Sequence, residues 1–329
     1  MRKKLLGSLE LNRIYQMDCL EGSKLIENES VDLILTDLPY GNMNTDGGRK
    51  LGINGWDHAI EPAKVFEIAN RVLRKNGKMI LFSQEPYTTE LINCAIPNLP
   101  FSYRAIWEKD NFANALGVNK AMVSFYEDIL IFSKNDYHEA KHPLRETMKK
   151  YLEKYGRDYI FDLFTKEGRY SKRTVAKVHA SFKFGFNSGR FDFMDYKMYE
   201  FLSNYIQFEE TYEQLKAIDT VYKQSYSSTF NLWEGNKFKS NILKYKKDYD
   251  GFHPTQKPVL LLEDLIKTFS NDGDIVVDLT CGSGSTCVAA ARVDRNFIGF
   301  ELETEYVRIA NQRLEVIQDE TAERKLTEE

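Results

Sequence analysis

The sequence predicts an α/β protein in which a doubly wound, largely parallel sheet is interrupted by a helical insert. Strand-like and helix-like segments alternate in residues 12–134 and again in residues 251–314. Strands separated by helices favour a largely parallel sheet with helices on both faces. Residues 135–250 lose this alternation and carry amphipathic segments instead. We therefore expect two halves of one sheet domain, at residues 1–134 and 251–329, and a separate insert between them.

The first region supplies strands and helices in turn. Strands are predicted for the runs RIYQMD, VDLILTD, KMILFSQ, FSYRAIWEK and YEDILIFSK, which are rich in apolar, β-branched and aromatic residues. Helices are predicted for SKLIENES, EPAKVFEIANRVLRKNG and PYTTELINCAI. Pro62 stands near the start of the second helix, where proline is tolerated.

The insert is predicted to be helical. ETMKKYLEKYGRDYIFDLFTKEG carries tyrosines and phenylalanines at helical spacing, and FMDYKMYEFLSNYIQFEETYEQLKAI predicts one or two further helices. SKRTVAKVHASF predicts a short helix capped by Ser171.

The last region returns to the first pattern. A helix is predicted from near Pro258 to Gly273, and the strand DIVVDL and the glycine-rich turn TCGSGS follow. The helix STCVAAARVD, the strand NFIGFELE and the helix TEYVRIANQRLEVIQDE complete the prediction.

Composition argues against several classes of protein. The basic N-terminus is followed by an apolar run of only two residues, and no stretch reaches the roughly 18–20 apolar residues that span a bilayer. We therefore expect no signal peptide, no membrane partner and a cytoplasmic location. Cys19, Cys94, Cys281 and Cys287 form no Cys-x-x-Cys pair, and no His/Cys cluster has zinc spacing. We expect reduced thiols and no metal.

The glycine-rich turn predicts a ligand site. The run DIVVDLTCGSGSTCVAA places Asp278 at a strand end, then Gly282 and Gly284, then a helix of small residues. Glycines allow a sharp turn and a close approach of the backbone to a ligand. Cys287 stands where a dinucleotide fingerprint needs its third glycine, and no Gly-Lys-Ser/Thr follows. A nucleoside ligand without a pyrophosphate, such as S-adenosylmethionine, suits this pattern, and a tight turn without a ligand is the alternative.

A second site is predicted where the strand VDLILTD ends in the turn TDLPYG, residues 36–41. Open α/β sheets bind ligands at the carboxyl ends of their strands. There the Asp37 carboxylate and the Leu38 carbonyl can both accept hydrogen bonds from one exocyclic amine, and Tyr40 offers a ring for stacking a base. Two acceptors make the amine nitrogen more nucleophilic toward a methyl sulfonium. The alternative is an ordinary turn whose aspartate caps a neighbouring helix.

Together, TDLPYG and DLTCGSGST resemble the exocyclic amino DNA methyltransferases that use S-adenosylmethionine. The order of the motifs, catalytic before cofactor with a long insert between them, resembles the β group, in which the insert is the target-recognition domain. The resemblance implies a Rossmann-like methyltransferase sheet, S-adenosylmethionine as cofactor and double-stranded DNA as partner. Homodimers occur in that group, so a homodimer stays open.

The resemblance also assigns the catalytic residues. The family tetrapeptide Asp-Pro-Pro-Tyr falls on Asp37, Leu38, Pro39 and Tyr40. Leu38 replaces a proline, which leaves the required carbonyl in place and makes the turn less rigid.

The cofactor residues are assigned in the same way. The family motif Asp-x-Phe-x-Gly-x-Gly falls on the turn, with Thr280 in place of the usual Phe, and Met17 replaces a glycine in the segment that binds the adenine amino group. Glu301 matches the acid that binds the ribose, and Lys257 is the candidate for the cofactor's carboxylate. The implied cofactor residues are Asp18, Cys19, His253, Thr255, Lys257, Asp278, Thr280, Gly282, Gly284, Thr286 and Glu301.

Basic residues in the insert are candidates for DNA binding. Residues 166–191 hold seven basic residues and one acid, Glu167. Phosphates attract such clusters, although a charge run is commonly a solvated face. The candidates are Arg169, Lys172, Arg173, Lys177, Lys183 and Arg190.

The predicted reaction is methyl transfer from S-adenosylmethionine to the N6 amino group of adenine in DNA, as in restriction-modification methyltransferases. Adenine is preferred because Asp at the first position of the tetrapeptide is commoner in adenine enzymes of the family. A cytosine-N4 enzyme and a catalytically silent nucleic-acid-binding protein are the alternatives. A nicotinamide dehydrogenase is disfavoured by the missing third glycine.

Overall fold

The computed structural model describes residues 5–39, 60–112, 119, 122–134, 142–166, 191, 193–226, 229–248 and 256–327. Its strands are β1 (Leu5–Leu6), β2 (Leu9–Glu10), β3 (Arg13–Gln16), β4 (Val31–Thr36), β5 (Leu73–Ser83), β6 (Phe101–Glu108), β7 (Tyr126–Ser133), β8 (Ile242–Lys244), β9 (Ile275–Asp278) and β10 (Asn296–Glu301). Its α-helices are α1 (Cys19–Gly22), α2 (Pro62–Val72), α3 (Tyr87–Asn93), α4 (Leu144–Tyr155), α5 (Arg157–Lys166), α6 (Tyr196–Ser203), α7 (Tyr212–Tyr226), α8 (Val259–Phe269), α9 (Ser285–Arg292) and α10 (Thr304–Thr327).

The chain forms two compact units. One comprises residues 1–135 together with 228–329, and the other comprises residues 136–227. The second unit therefore ends earlier than the predicted insert, which reached residue 250. Residues 229–248 belong with the sheet because Ile242–Lys244 forms strand β8, which pairs in parallel with β6.

The first unit is built on an eight-stranded mixed sheet with the order β3-β10-β9-β4-β5-β7-β6-β8. The strands from β3 to β5 in this order are parallel, and β7 runs antiparallel to both β5 and β6. The predicted α/β class and largely parallel sheet are confirmed, with the antiparallel strand added. β1 and β2 form a separate antiparallel pair.

The central strand β4 is buried on both faces. Leu33 and Leu35 join the apolar cluster that contains α8 and α9 residues, whereas Ile34 joins the cluster that contains α2 residues. Successive strand side chains point to opposite faces, so a run of apolar residues suits a strand covered by helices on both sides. This explains why β4 has no polar alternation.

Two local predictions are wrong. Of the predicted helix SKLIENES, only residues Ser23–Leu25 are helical, as a 3₁₀ turn, and the preceding α1 begins at Cys19. Asp18 caps α1 by accepting a hydrogen bond from the backbone N–H of Leu20 at 2.7 Å, which sets the start earlier. The predicted helix EPAKVFEIANRVLRKNG ends at Val72, since Leu73 already begins β5 and pairs with Val31.

The second unit is helical in its described part. Its apolar core is formed by side chains from α4 to α7 and the segments beside them: Leu144, Met148, Tyr151, Ile160, Phe164, Met194, Met198, Leu202, Ile206 and Leu215. The aromatic residues at helical spacing thus build a core of their own. The predicted helix SKRTVAKVHASF lies outside the described residues.

Among the described residues, no helix combines the length and apolar character that a membrane crossing requires.

Candidate active site

The site lies where the connections of the sheet diverge. β9 and β4 are neighbours, but β9 leads through α9 to β10 on one side, and β4 leads through α2 to β5 on the other. Divergent crossovers leave a crevice at the carboxyl ends of the two strands, where open α/β sheets bind ligands. Asp278 ends β9, and Asp37 follows β4 directly.

Two threonines join the turn after β4, which contains Asp37, to the glycine-rich turn. Thr36 Oγ1 donates to Asp278 Oδ1 at 2.7 Å, and Thr280 Oγ1 donates to the carbonyl of Asp37 at 2.9 Å. The two hydroxyl oxygens are 3.0 Å apart. Each hydroxyl has one hydrogen to donate, so both threonines are committed to bridging the turns. Thr280, which stands where the resembled family has Phe, therefore fixes the backbone of Asp37.

Leu38 anchors the turn after β4 in the core. Its side chain is only 2% exposed and belongs to the apolar cluster on one face of the sheet. Burial of such a side chain contributes about 1.5–3 kcal/mol. The turn thus gains through packing the support that the missing proline would give to its backbone.

Asp278 is buried and accepts three hydrogen bonds within the protein. It accepts from Thr36, from the hydroxyl of Thr286 and from the backbone N–H of Thr280, the last at 3.1 Å. Burial raises the pKa of Asp278 to about 6, although these donors act in the opposite direction. In this structure Asp278 and Thr286 hold the turn in shape, and their contact with the cofactor stays a prediction.

The glycines of the turn differ in their surroundings. Gly282 has a φ of +52°, and a Cβ placed there would meet nothing within 4 Å. Gly284 has a φ of +80°, but a Cβ there would lie 2.7 Å from Ala310 Cβ in α10. Gly284 is therefore required for packing, whereas Gly282 leaves space beside the backbone.

Glu301 closes the turn from the end of β10. Its Oε2 accepts from the backbone N–H of Gly282 at 2.9 Å, and its Oε1 accepts from Leu302 and Glu303, each at 2.8 Å. A carboxylate offers about four acceptor positions, so one stays available for a ribose hydroxyl. Burial raises the pKa of this carboxyl group.

Asp18 and Cys19 lie beside Glu301 along the sheet edge. β3 pairs with β10, and the N–H of Met17 donates to the carbonyl of Glu301 at 3.0 Å. Burial raises the pKa of the Cys19 thiol to about 12, and Asp18 adds to this shift. Cys19 is therefore a neutral thiol here.

Lys257 reaches the carboxylate of Asp37. Its ammonium group forms ion pairs with Asp37 Oδ2 and, at 3.2 Å, with Glu127 Oε2. The residue is 8% exposed, and a buried ammonium group needs such partners. Burial opposes its charge, but Asp37 and Glu127 together raise the pKa of Lys257. Its predicted contact with the cofactor carboxylate stays a prediction.

Gln256 was not singled out from the sequence. Its Oε1 accepts from Ser283 Oγ in the glycine-rich turn at 3.4 Å, and its buried Nε2 has no hydrogen-bond partner among the described residues. A buried amide N–H₂ without an acceptor is costly. Its position next to Lys257 in the segment HPTQKP was the sequence feature that could have identified Gln256 as a site residue.

Several predicted site residues lie outside the described residues. These are Tyr40, His253, Thr255, Arg169, Lys172, Arg173, Lys177, Lys183 and Arg190. Pro39 is described, in the turn after Leu38.

Comparison with known proteins agrees with this geometry. The model of the family N6_N4_Mtase, described as DNA methylase, matches residues 31–312. The DNA adenine methyltransferase YhdJ of Escherichia coli (strain K12) is 27% identical over 332 residues, which cover 95% of this chain and 86% of that protein. The Type II methyltransferase M1.MboII of Moraxella bovis is 24% identical over 324 residues, 92% of this chain and 96% of that protein.

A match over a shorter stretch has a higher sequence identity. The Type II methyltransferase M2.DpnII of Streptococcus pneumoniae is 42% identical over 85 residues, 26% of this chain and 30% of that protein. Among solved structures, an M1.HpyAVI–SAM complex has a TM-score of 0.51 at 19% identity and covers 92% of this chain and 98% of that chain. This likeness supports the α/β fold.

Proposed function

The chain belongs to the DNA methylase family whose model spans it, and from that premise we propose that it transfers a methyl group from S-adenosylmethionine to the N6 amino group of adenine in DNA. The observation that carries the proposal is the bridge between the two turns. Thr280 bonds to the carbonyl of Asp37, and Thr36 bonds to Asp278. The groups proposed to bind the amine and the methyl donor therefore share one edge of the sheet.

The residues of the crevice fit a nucleoside sulfonium with a free amino acid end. Gly282 leaves open space beside its backbone, and Glu301 retains acceptor capacity for a ribose hydroxyl. The buried Nε2 of Gln256 is a donor that suits a carboxylate. Glu301 would hold the ribose, and Gln256 the carboxylate of the methionine moiety.

Asp37 and Leu38 prepare the acceptor nitrogen. The side chain of Asp37 and the carbonyl of Leu38 accept both hydrogens of the exocyclic amine, which draws its lone pair out of conjugation with the ring. When bound, S-adenosylmethionine would supply an electrophilic methyl carbon attached to a positively charged sulfur. The nitrogen would form one bond to the methyl carbon while the carbon–sulfur bond breaks and its electron pair stays on the sulfur, which becomes a neutral thioether. The nitrogen would then release one proton, for which the Asp37 carboxylate is the nearest proposed acceptor.

Adenine is the proposed base for two reasons. Asp37 stands at the first position of the tetrapeptide, and the relative aligned over 95% of this chain is named an adenine methyltransferase. Cytosine N4 is the alternative within the same family. Mass spectrometry of nucleosides from DNA incubated with the protein and the cofactor separates N6-methyladenine from N4-methylcytosine.

The remaining parts of the proposal concern DNA. We assign target recognition to the helical unit and phosphate contacts to its basic cluster, defined by the six Arg and Lys candidates above. The order of the motifs supports the proposal that the chain belongs to the β group of these enzymes. We also propose a cytoplasmic location, and sedimentation of the full chain tests whether a homodimer forms.

The decisive variant is Asp37→Asn, which keeps the shape and removes the charge. We expect methyl incorporation into DNA to fall about 100-fold or more, because proton acceptance by a positioned carboxylate contributes on that order. Asp272→Asn is the matched control, since Asp272 is an exposed partner of Arg295. Equal incorporation by wild type and Asp37→Asn would refute the role of Asp37.

A further inference from the structure

Behind Asp37 runs a chain of four charged side chains in the sheet unit. Lys257 joins Asp37 to Glu127, and Lys109 Nζ pairs with Glu127 Oε1 at 3.0 Å. The signs alternate from Asp37 to Lys109, so the chain is neutral as a whole. We call these four side chains the charge chain.

The sheet fixes the far end of the charge chain. Glu127 lies in β7 opposite Trp107 of β6, and Lys109 follows β6 directly. The N–H of Lys109 donates to the carbonyl of Phe125 at 2.7 Å. Because adjacent antiparallel strands hold both residues, the two side chains meet at one fixed place behind the catalytic turn.

The three members of the charge chain behind Asp37 are largely withdrawn from water. Lys109 is 4% exposed, and the side chain of Glu127 is 14% exposed. Burial opposes the charge of Glu127, yet Lys257 and Lys109 together lower its pKa. Burial lowers the pKa of Lys109, and Glu127 acts against this shift. Each charge thus depends on its neighbour in the chain.

Stability alone does not account for this arrangement. Buried ion pairs gain little over apolar side chains of the same volume, because desolvation offsets most of the attraction. The neighbouring Phe82 already offers an apolar surface, with the Lys257 ammonium 5.2 Å from its ring centroid. Two buried lysines and a largely buried glutamate that lead to the catalytic carboxylate are better explained by what they do to that carboxylate.

We propose that Glu127 is a positioning residue, which holds the Lys257 ammonium against Asp37 Oδ2 and so directs Asp37 Oδ1 toward the target amine. Lys109 in turn fixes the carboxylate of Glu127 through their ion pair. The inference rests on the proposed role of Asp37. Loss of Glu127 leaves Lys257 free to turn and to draw the Asp37 carboxylate out of line. A displacement of about 1 Å at a reacting group can cost about 100-fold in rate.

The test compares Glu127→Gln with Glu108→Gln. Glu108 is the matched control because it also lies on this sheet and pairs with a lysine, Lys244, at 3.1 Å, but on the surface. We expect Glu127→Gln to lower kcat about 10- to 100-fold, with KM for S-adenosylmethionine and the methylated base unchanged. Glu108→Gln should match the wild type.

The pH profile provides a readout that loss of packing alone would not produce. Glu127→Gln removes a negative charge near Asp37, so the acid limb of kcat should move to lower pH. Lys109→Met removes a positive charge and should move that limb to higher pH. Asp278 and Tyr87 also interact electrostatically with Asp37, and Lys247 interacts electrostatically with Lys109. These groups are unchanged in both variants.

The outcomes are distinct. Opposite shifts of the acid limb, with kcat lowered in Glu127→Gln, support the proposal. Wild-type kcat in Glu127→Gln, or shifts in the same direction, overturns it while leaving the proposed function intact. Should Glu127→Gln fail to fold, Lys109→Met alone decides by the direction of its shift. A wild-type protein without methyl transfer would instead refute the proposed function.

Discussion

Alanine at each glycine of the turn should separate cofactor binding from folding. Both Gly282 and Gly284 have positive φ, a region that costs an L-residue about 1–2 kcal/mol. Only at Gly284 does the new Cβ collide, 2.7 Å from Ala310 Cβ, where ordinary carbon contacts are about 3.5–4.0 Å. Overpacking of this kind adds about 1–3 kcal/mol. Gly284→Ala should therefore lose about 2–5 kcal/mol of the free energy of unfolding, and Gly282→Ala only about 1–2.

Urea denaturation of the cofactor-free protein measures the free energy of unfolding. Calorimetric titration with S-adenosylmethionine measures the Kd of the cofactor. The methyl group of Gly282→Ala enters the space proposed for the cofactor, so its Kd should rise at least about tenfold, or about 1.4 kcal/mol. Equal destabilisation by the two variants would contradict the packing argument. A wild-type Kd for Gly282→Ala would contradict the assignment of that space to the cofactor.

Two further predictions concern the side chains that bridge the turns. Thr280→Val removes the hydrogen bond to the carbonyl of Asp37 and should cost about 1–3 kcal/mol of the free energy of unfolding, and kcat should fall as well. Thr280→Ser keeps the hydroxyl and should retain the wild-type stability and kcat. Denaturation and methyl-transfer assays measure the two effects. The pKa of Asp278 is raised from 3.8 to about 6, so the folded protein binds a proton there that the unfolded chain has lost. Without cofactor, the free energy of unfolding of the wild type should fall by up to about 3 kcal/mol relative to Asp278→Asn as the pH rises from about 4 to about 6. A difference in the free energy of unfolding that stays constant over this pH range would contradict the shift.

The strands that carry the site were predictable because burial on both faces leaves a simple pattern. VDLILTD and DIVVDL each contain an apolar run that leads to an aspartate, Asp37 or Asp278, and the structure makes them the adjacent strands β4 and β9. The apolar run and the polar end arise from the same cause, a strand inside the sheet whose end faces the crevice. The glycine-rich turn after β9 could be predicted from its residue types alone.

The charge chain was not predictable in the same way. Glu127 and Lys109 meet through the register of β6 against β7, and a sequence does not state the register of two strands. β8 was missed because its three residues are too few to show a period. The role of Leu38 was also hidden, since its support for the turn comes from the core that its side chain enters.

The order of strands in the sheet has a consequence for synthesis on the ribosome. β3 pairs only with β10 among the described strands, and β10 and β9 separate it from β4. A growing chain that has finished the helical unit still lacks both of these strands, so the edges of β3 and β4 stay open for pairing with other chains. The crevice itself forms only when β9 emerges and pairs with β4. Messages truncated after the helical unit should therefore yield aggregation-prone fragments rather than partly active enzyme.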